Sequence, residues 1–300
     1  MNQTPKPPRS QPISALRRRA ALALLLPVLA GHWPAQAQTE LTDLARIRAS
    51  GVLKVAVYKD NAPLSDGPVT DMKGLDVSLA EALARQLKLK LSLLPYDAGE
   101  NMGDDLRNMV WRGHYLGYGP ADVMLQVPAD KFLAQGNPQV MIFAPYMRQS
   151  VMLMHDTRKL ADAAAPEDLK GVPLAAERGA GAASVLMGHG GGLLRNQVTI
   201  YNTGVEAAQA AVDGKAVAAF VTRAQAESVL FRNPGAAAHF RLSKLNFNNG
   251  IADTGWPVGM AVKSANKELA QALEAAMKSL RDSGEMLAIF KQHGLTLTAP

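Results

Sequence analysis

The 300-residue sequence contains no cysteine. Disulfides, thiolate metal sites and a lipid-modified N-terminal cysteine are therefore excluded. Aromatic residues make up only 5% of the chain, so the position of each Trp and Tyr carries information. The apolar run Ala20 to Ala30 is about 11 residues long, against the roughly 20 that a membrane-spanning helix needs. With Arg17, Arg18 and Arg19 before it and Ala35-Gln36-Ala37 after it, that run reads as the core of a cleavable secretory signal peptide covering residues 1–37. The expected product sits in a periplasm-like space with no stable membrane insertion, and either Sec or twin-arginine export suits the basic run.

Excess charge is also missing once that leader is removed. The full chain carries 32 Lys and Arg against 26 Asp and Glu. Five of the basic residues, Lys6, Arg9, Arg17, Arg18 and Arg19, lie in the leader, which has no acidic residue, so 27 basic face 26 acidic. The high isoelectric point belongs to the export signal and gives no support to nucleic-acid binding.

What is present is a repeating strand and helix rhythm. Val52 to Tyr58 reads as a strand and Lys59 to Pro63 as a polar turn; Val77, Leu79, Ala80, Leu83, Ala84 and Leu87 form a helical stripe, and Leu89 to Leu94 reads as the next strand. Asp104 to Trp111 has helical spacing through Leu106, Met109 and Val110. A glycine- and aromatic-rich loop follows, and then Ala121 to Val127 reads as a buried strand. Such alternation predicts an α/β layer with parallel strands and right-handed crossovers. Val140 to Tyr146 and Val151 to Met154, around Arg148, read as a segment crossing to a second layer. There Val172 to Ala176, Val198 to Tyr201 and Val217 to Val221 are strands, Val205 to Val212 a helix, and Val185 to Met187 the start of another. Gly250 to Val262 reads as a return strand, and Lys267 to Phe290 as two helices broken at Ser283-Gly284.

Four landmarks, GVLKVAVYKDNAPLS, KGLDVSLAEALARQLKLKLSLLPY, DLKGVPLAAERGAGAAS with VEAAQAAVDGKAVAAFV, and the closing GWPVGMAVKSANKELAQALEAAMKSLRDSGEMLAIFKQHG, resemble the bacterial extracellular solute-binding proteins of family 3. The resemblance implies the two-lobed periplasmic binding protein fold (type II) with a two-strand hinge. It further implies a signal peptide at 1–37, a first lobe from 38–147 and 249–300, a second lobe from 148–248, and a small-molecule ligand held between the lobes for an ABC permease. Carried over, the ligand contacts fall on Asp60, Asn61, Pro63, Asp76, Val127, Pro128, Asp130, Lys131, Arg178, Gly179, Gly181 and Thr222, with Tyr146, Arg148 and Trp256 at the hinge. Gly179-x-Gly181 ahead of a helix suits an anion, although a tight turn alone would read the same.

The departures from that pattern are informative. Amino-acid-binding members carry an arginine that grips the ligand carboxylate where this chain reads Val127-Pro128-Ala129-Asp130-Lys131, and an aspartate where it has Thr222. Arg107-Asn108, Asp122-Val123 and Val127-Pro128-Ala129 look like the substrate-binding-like proteins associated with quinoprotein dehydrogenases of methanol and alcohol oxidation, whose partners are a periplasmic dehydrogenase and its cytochrome. Trp111 to Pro120 is an insertion relative to both patterns, and its Trp111, His114, Tyr115 and Tyr118 could touch a partner or ligand or simply cover the first lobe.

Rival chemistries find little. Met187-Gly188-His189-Gly190-Gly191-Gly192 contains an oxyanion-type string, but no Gly-x-Ser-x-Gly elbow accompanies it. The mature histidines lack i, i+3 or i, i+4 partners for a metal. The sequence thus predicts a monomeric, non-enzymatic binding protein with no cofactor, no metal and no catalytic residue.

Overall fold

The computed structural model describes residues 43–247 and 255–300. The signal-peptide expectation and the first part of the return segment lie outside those residues. In chain order the elements are α1 (Asp43–Ser50), β1 (Val52–Tyr58), α2 (Leu75–Gln86), β2 (Lys90–Tyr96), α3 (Met102–Leu106), β3 (Val123–Pro128), α4 (Lys131–Gly136), β4 (Val140–Gln149) and β5 (Val151–Asp156). There follow β6 (Leu174–Glu177), α5 (Gly181–Gly188), β7 (Val198–Tyr201), α6 (Gly204–Val212), β8 (Ala218–Thr222), α7 (Arg223–Arg232), α8 (Pro234–Ala237) and β9 (Phe240–Ser243). The chain closes with β10 (Trp256–Lys263), α9 (Lys267–Asp282) and α10 (Glu285–Gln292).

Two mixed five-stranded sheets result, in the orders β2-β1-β3-β10-β4 and β7-β6-β8-β5-β9. β1 is parallel to β2 and β3, and β6 to β7 and β8; β10 and β5 run antiparallel to their neighbours. The inner strand β1 explains itself chemically, because Leu53, Val55, Ala56 and Val57 are all buried, as a strand covered on both faces requires. In α2, Leu75, Leu79 and Leu83 face the first sheet at helical spacing, and α9 does the same with Leu269, Leu273 and Leu280. The second sheet is covered differently. Ala207, Ala208, Ala210 and Ala211 of α6 are small enough to bring that helix close to β6 and β8.

Several boundaries differ from the periodicity. β2 continues past Leu94 through Pro95 to Tyr96, which an edge strand tolerates because its outer side needs no ladder donor. The expected helix Asp104 to Trp111 is α3 followed by a π-helical turn, Arg107–Trp111, closed by the Arg112 N–H bonding to Arg107 O at 2.8 Å. α5 begins at Gly181 rather than Val185, since a Gly and Ala run shows no apolar period.

The chain passes from the first sheet to the second between Gln149 and Val151 and returns into β10, which enters the first sheet between β3 and β4. Trp256 pairs with Gln149, so the two crossing segments lie side by side. The C-terminal residues add a third connection. Thr298 Oγ1 donates to Arg148 O at 2.8 Å, and Thr296 N–H donates to Glu227 of α7 at 2.8 Å. No described helix is long and apolar enough to cross a membrane.

Candidate ligand site at the strand edges

Parallel strands end together, and the loops at their C-terminal ends are where open α/β sheets hold ligands. On the first sheet those ends belong to β1, β2 and β3. Tyr58 closes β1, and its phenol donates to Asp105 Oδ2 at 2.8 Å, while Asp105 Oδ1 accepts the Gly99 N–H at 2.7 Å. Burial raises the Asp105 carboxyl against those two hydrogen bonds. The Tyr96 ring lies 4.6 Å from that of Tyr58. Lys59 pairs with Asp97 at 2.9 Å on the surface. Asp60 is exposed with φ at 50°, and Asn61 closes the turn, its N–H bonding to Ser65 O at 2.8 Å.

Beneath this edge runs an internal polar layer. Asp76 is 1% exposed. It is expected from the sequence to face the cleft, but its place in the first turn of α2 turns it inward, where Gln126 Nε2 donates to its Oδ1 at 2.9 Å and the Tyr146 phenol lies against it. Its Oδ2 has no hydrogen-bond partner, and burial pushes its pKa up to about 7. The Gln126 N–H donates to Tyr146 Oη at 3.2 Å, and Gln149 Nε2 reaches Gln126 Oε1 at 3.4 Å. The layer thereby links α2 to the crossing segment. Val127 is fully buried in the core and offers no side-chain surface, because both faces of β3 are covered. Pro128 is half-buried at the strand end, the Asp130 carboxylate caps α4 by accepting the Leu133 N–H at 2.7 Å, and Lys131 is exposed.

On the second sheet, Arg178 is exposed after β6 and its N–H bonds to Tyr201 O at 2.8 Å. Gly179 and Gly181 lead into α5, whose first N–H groups have no intrahelical acceptor. Thr222 is the N-cap of α7: its Oγ1 accepts the Gln225 N–H at 3.3 Å, and Gln225 Oε1 accepts the Thr222 N–H at 2.9 Å. The remaining Gln225 donor reaches Glu177 Oε2 at 2.9 Å. A β-carbon on Gly204 would overlap the Gln225 side chain, so that amide is locked from both sides. Sequence reading missed Glu177 and Gln225; the signal available was the Thr-x-x-Gln capping box at 222–225.

Ala62 and Pro63, further along the loop that follows β1, line a groove with α7 and the end of α10. The hinge candidates sit at the crossing: Tyr146 is buried in the polar layer, Arg148 is bonded to Thr298, and Trp256 is half-buried beside Gln149.

The insertion is a closed loop. The His114 N–H bonds to Tyr118 O at 2.8 Å, the Gly117 N–H bonds to His114 O at 2.9 Å, and the His114 and Tyr118 rings stack 4.3 Å apart. Gly119, with φ at 74°, abuts Asn108 O so closely that a side chain would not fit. Trp111 and Tyr118 rest on the cluster containing Tyr96, Leu106 and Met109, whereas Tyr115 is 87% and Leu116 68% exposed at the tip. His189 Nε2 is tied to Glu167 at 2.7 Å. Among the described residues no group of three His, Asp or Glu could hold a metal.

No family model matches the sequence, and no curated protein matches it. Solved structures do match. An ancestral cationic amino acid solute-binding protein superimposes with a TM-score of 0.63 at 20% identity, over 83% of this chain and 98% of the other. The chain has the two-lobed solute-binding protein fold. An amino acid ABC transporter substrate-binding protein from Streptococcus pneumoniae, bound to L-arginine, matches at 0.58 and 19% identity over 86% of this chain and 100% of its own. An ancestral amino acid-binding protein described as a precursor of cyclohexadienyl dehydratase matches at 0.54 and 18% identity, over 84% of this chain and 98% of its own. These likenesses concern the fold.

Proposed function

We propose that the protein is a periplasmic, non-enzymatic solute-binding protein of the family-3 type, which holds a small polar or anionic solute between its lobes and delivers it to an ABC-type importer. One observation carries this reading. The start of α5, with unbonded N–H groups and with Arg178 beside it, opens at the C-terminal edge of the second sheet, where a helix N-terminus favours an anion. Lys131 at the matching edge of the first sheet adds a second cation. The lobes divide as 38–147 with 249–300 against 148–248, after a signal peptide at 1–37, and closure is a hinge motion about the paired crossing segments.

The test is a thermal-shift screen of the mature protein against a metabolite library spanning amino acids, organic acids and oxyanions. Binding at one hundred times Kd stabilises by about 2.7 kcal/mol, and Arg178→Gln should weaken it at least tenfold. The absence of any hit, or substrate turnover by the pure protein, overturns the reading.

A second reading is favoured by the insertion. A closed, well-packed loop that leaves Tyr115 and Leu116 in water suits protein contact, and an accessory role beside a periplasmic quinoprotein dehydrogenase and its cytochrome would use it. Co-purification of such an enzyme with the wild type, lost on Tyr115→Ser/Leu116→Ser, would select this reading over transport.

A further inference from the structure

Two other cavities offer nothing beyond the fold. The one lined by Arg148, Arg223, Glu227 and Thr296 is about 10 Å³, enough for a water. The groove of about 700 Å³ beside β4 and α9 is lined by Lys278 and Asp282, which pair with each other. The groove between α7 and the end of α10 is different. It has a volume of about 230 Å³ and is lined by Ala62 and Pro63 after β1, Ser228, Phe231 and Arg232 of α7, and Gln292 and His293 at the end of α10.

We propose that this groove is a second ligand site, separate from the strand edges, that takes a small flat carboxylate such as an aryl acid. Its charge is one-sided: no lining residue is acidic. The Arg232 Nε donates to Ser228 O at 3.2 Å, and the guanidinium has no carboxylate within ion-pair distance among the described residues. A guanidinium with free N–H groups beside an apolar wall matches a carboxylate bidentately.

The wall is Phe231, which stays 57% exposed although burying a phenyl ring is favourable. Its position is specified rather than incidental. The ring lies directly on Gly294, where φ is 70° and a β-carbon would overlap it. Pro63 supplies a second apolar surface of the groove. His293 is anchored by Ser78 Oγ, 2.9 Å from its Nε2, and burial lowers its pKa, so the groove's positive charge is that of Arg232.

Size and place set the ligand apart from a cleft solute. The volume lies below the roughly 300–1,000 Å³ of pockets for drug-sized molecules, so the ligand is small. Phe231 stands nine residues along α7 from Thr222, about 13 Å of helix from the strand edge. Pro63, Gln292 and His293 belong to elements of the first sheet and α7 to the second, so a molecule seated there touches both lobes and favours the lobe arrangement that forms the groove.

Sodium benzoate and benzylamine, alike in shape and opposite in charge, test this with the mature full-length protein. The expected result is a saturable rise in Tm with benzoate and saturation-transfer signals from its ring, neither seen with benzylamine. Arg232→Gln should weaken benzoate at least tenfold with an unchanged far-UV spectrum, and Arg178→Gln should leave it within twofold. Absence of benzoate binding, equal binding of benzylamine, or full binding by Arg232→Gln would overturn the proposal. Loss of binding in Arg178→Gln alone would overturn it too, by placing benzoate at the strand edge.

Discussion

Asp76 carries the clearest consequence of a single side chain. Its carboxyl titrates near pH 7 in the folded protein, pushed up by burial, against about 3.9 in an unfolded chain. The folded state therefore holds the extra proton, and the stability it confers is complete below pH 4 and lost as pH rises through 7. Asp76→Asn removes that dependence. Denaturant unfolding at pH 5 and pH 8 should show the wild type losing about 2.6 kcal/mol relative to the variant across that span, and parallel curves would refute the assignment. At Thr222 the expectation is simpler. Removing the cap hydroxyl with Thr222→Ala should cost about 0.5–2 kcal/mol, read as a lower denaturant midpoint with unchanged slope. Of the two environments only the cap at Thr222 is legible from sequence, as the Thr-x-x-Gln box at 222–225. Asp76 and Thr222 stand out by position in a resemblance, whereas burial beside Gln126 and the Gln225–Glu177 relay join groups 50 and 48 residues apart along the chain.

Elements were read well where one face is apolar and poorly where it is not. α9 was visible because Leu269, Leu273 and Leu280 repeat at helical spacing, and all three are fully buried. Leu273→Ala should consequently destabilise by about 2–5 kcal/mol in denaturant titration. The π-helical turn at Arg107–Trp111 has no such signature, because one extra residue in a turn leaves the apolar spacing nearly intact. The insertion divides energetically: Trp111 and Tyr118 pack against the first lobe's core, but the tip does not. Tyr115→Ser/Leu116→Ser should leave the unfolding midpoint within about 0.5 kcal/mol, so any loss of partner binding in that variant is a surface effect. A larger drop would mean that the tip is structural.

At the scale of the whole molecule, two sheets are joined by paired crossing segments and by the C-terminal residues, where Thr296 meets Glu227 and Thr298 meets Arg148. Glu227→Ala removes an inter-lobe contact without touching either core. Small-angle scattering of the unliganded variant should give a larger radius of gyration than the wild type, and an identical value would show that the crossing segments alone set the lobe arrangement. The sequence by itself determined the alternation of strands and helices, the α/β class, and the absence of disulfide and thiolate chemistry, because periodicity and composition are local properties. Tertiary structure decided the rest. It turned Asp76 inward, fixed Glu177 through Gln225, and brought Pro63, Arg232 and His293 around one groove, since contacts between residues far apart in the chain exist only once the sheets are assembled.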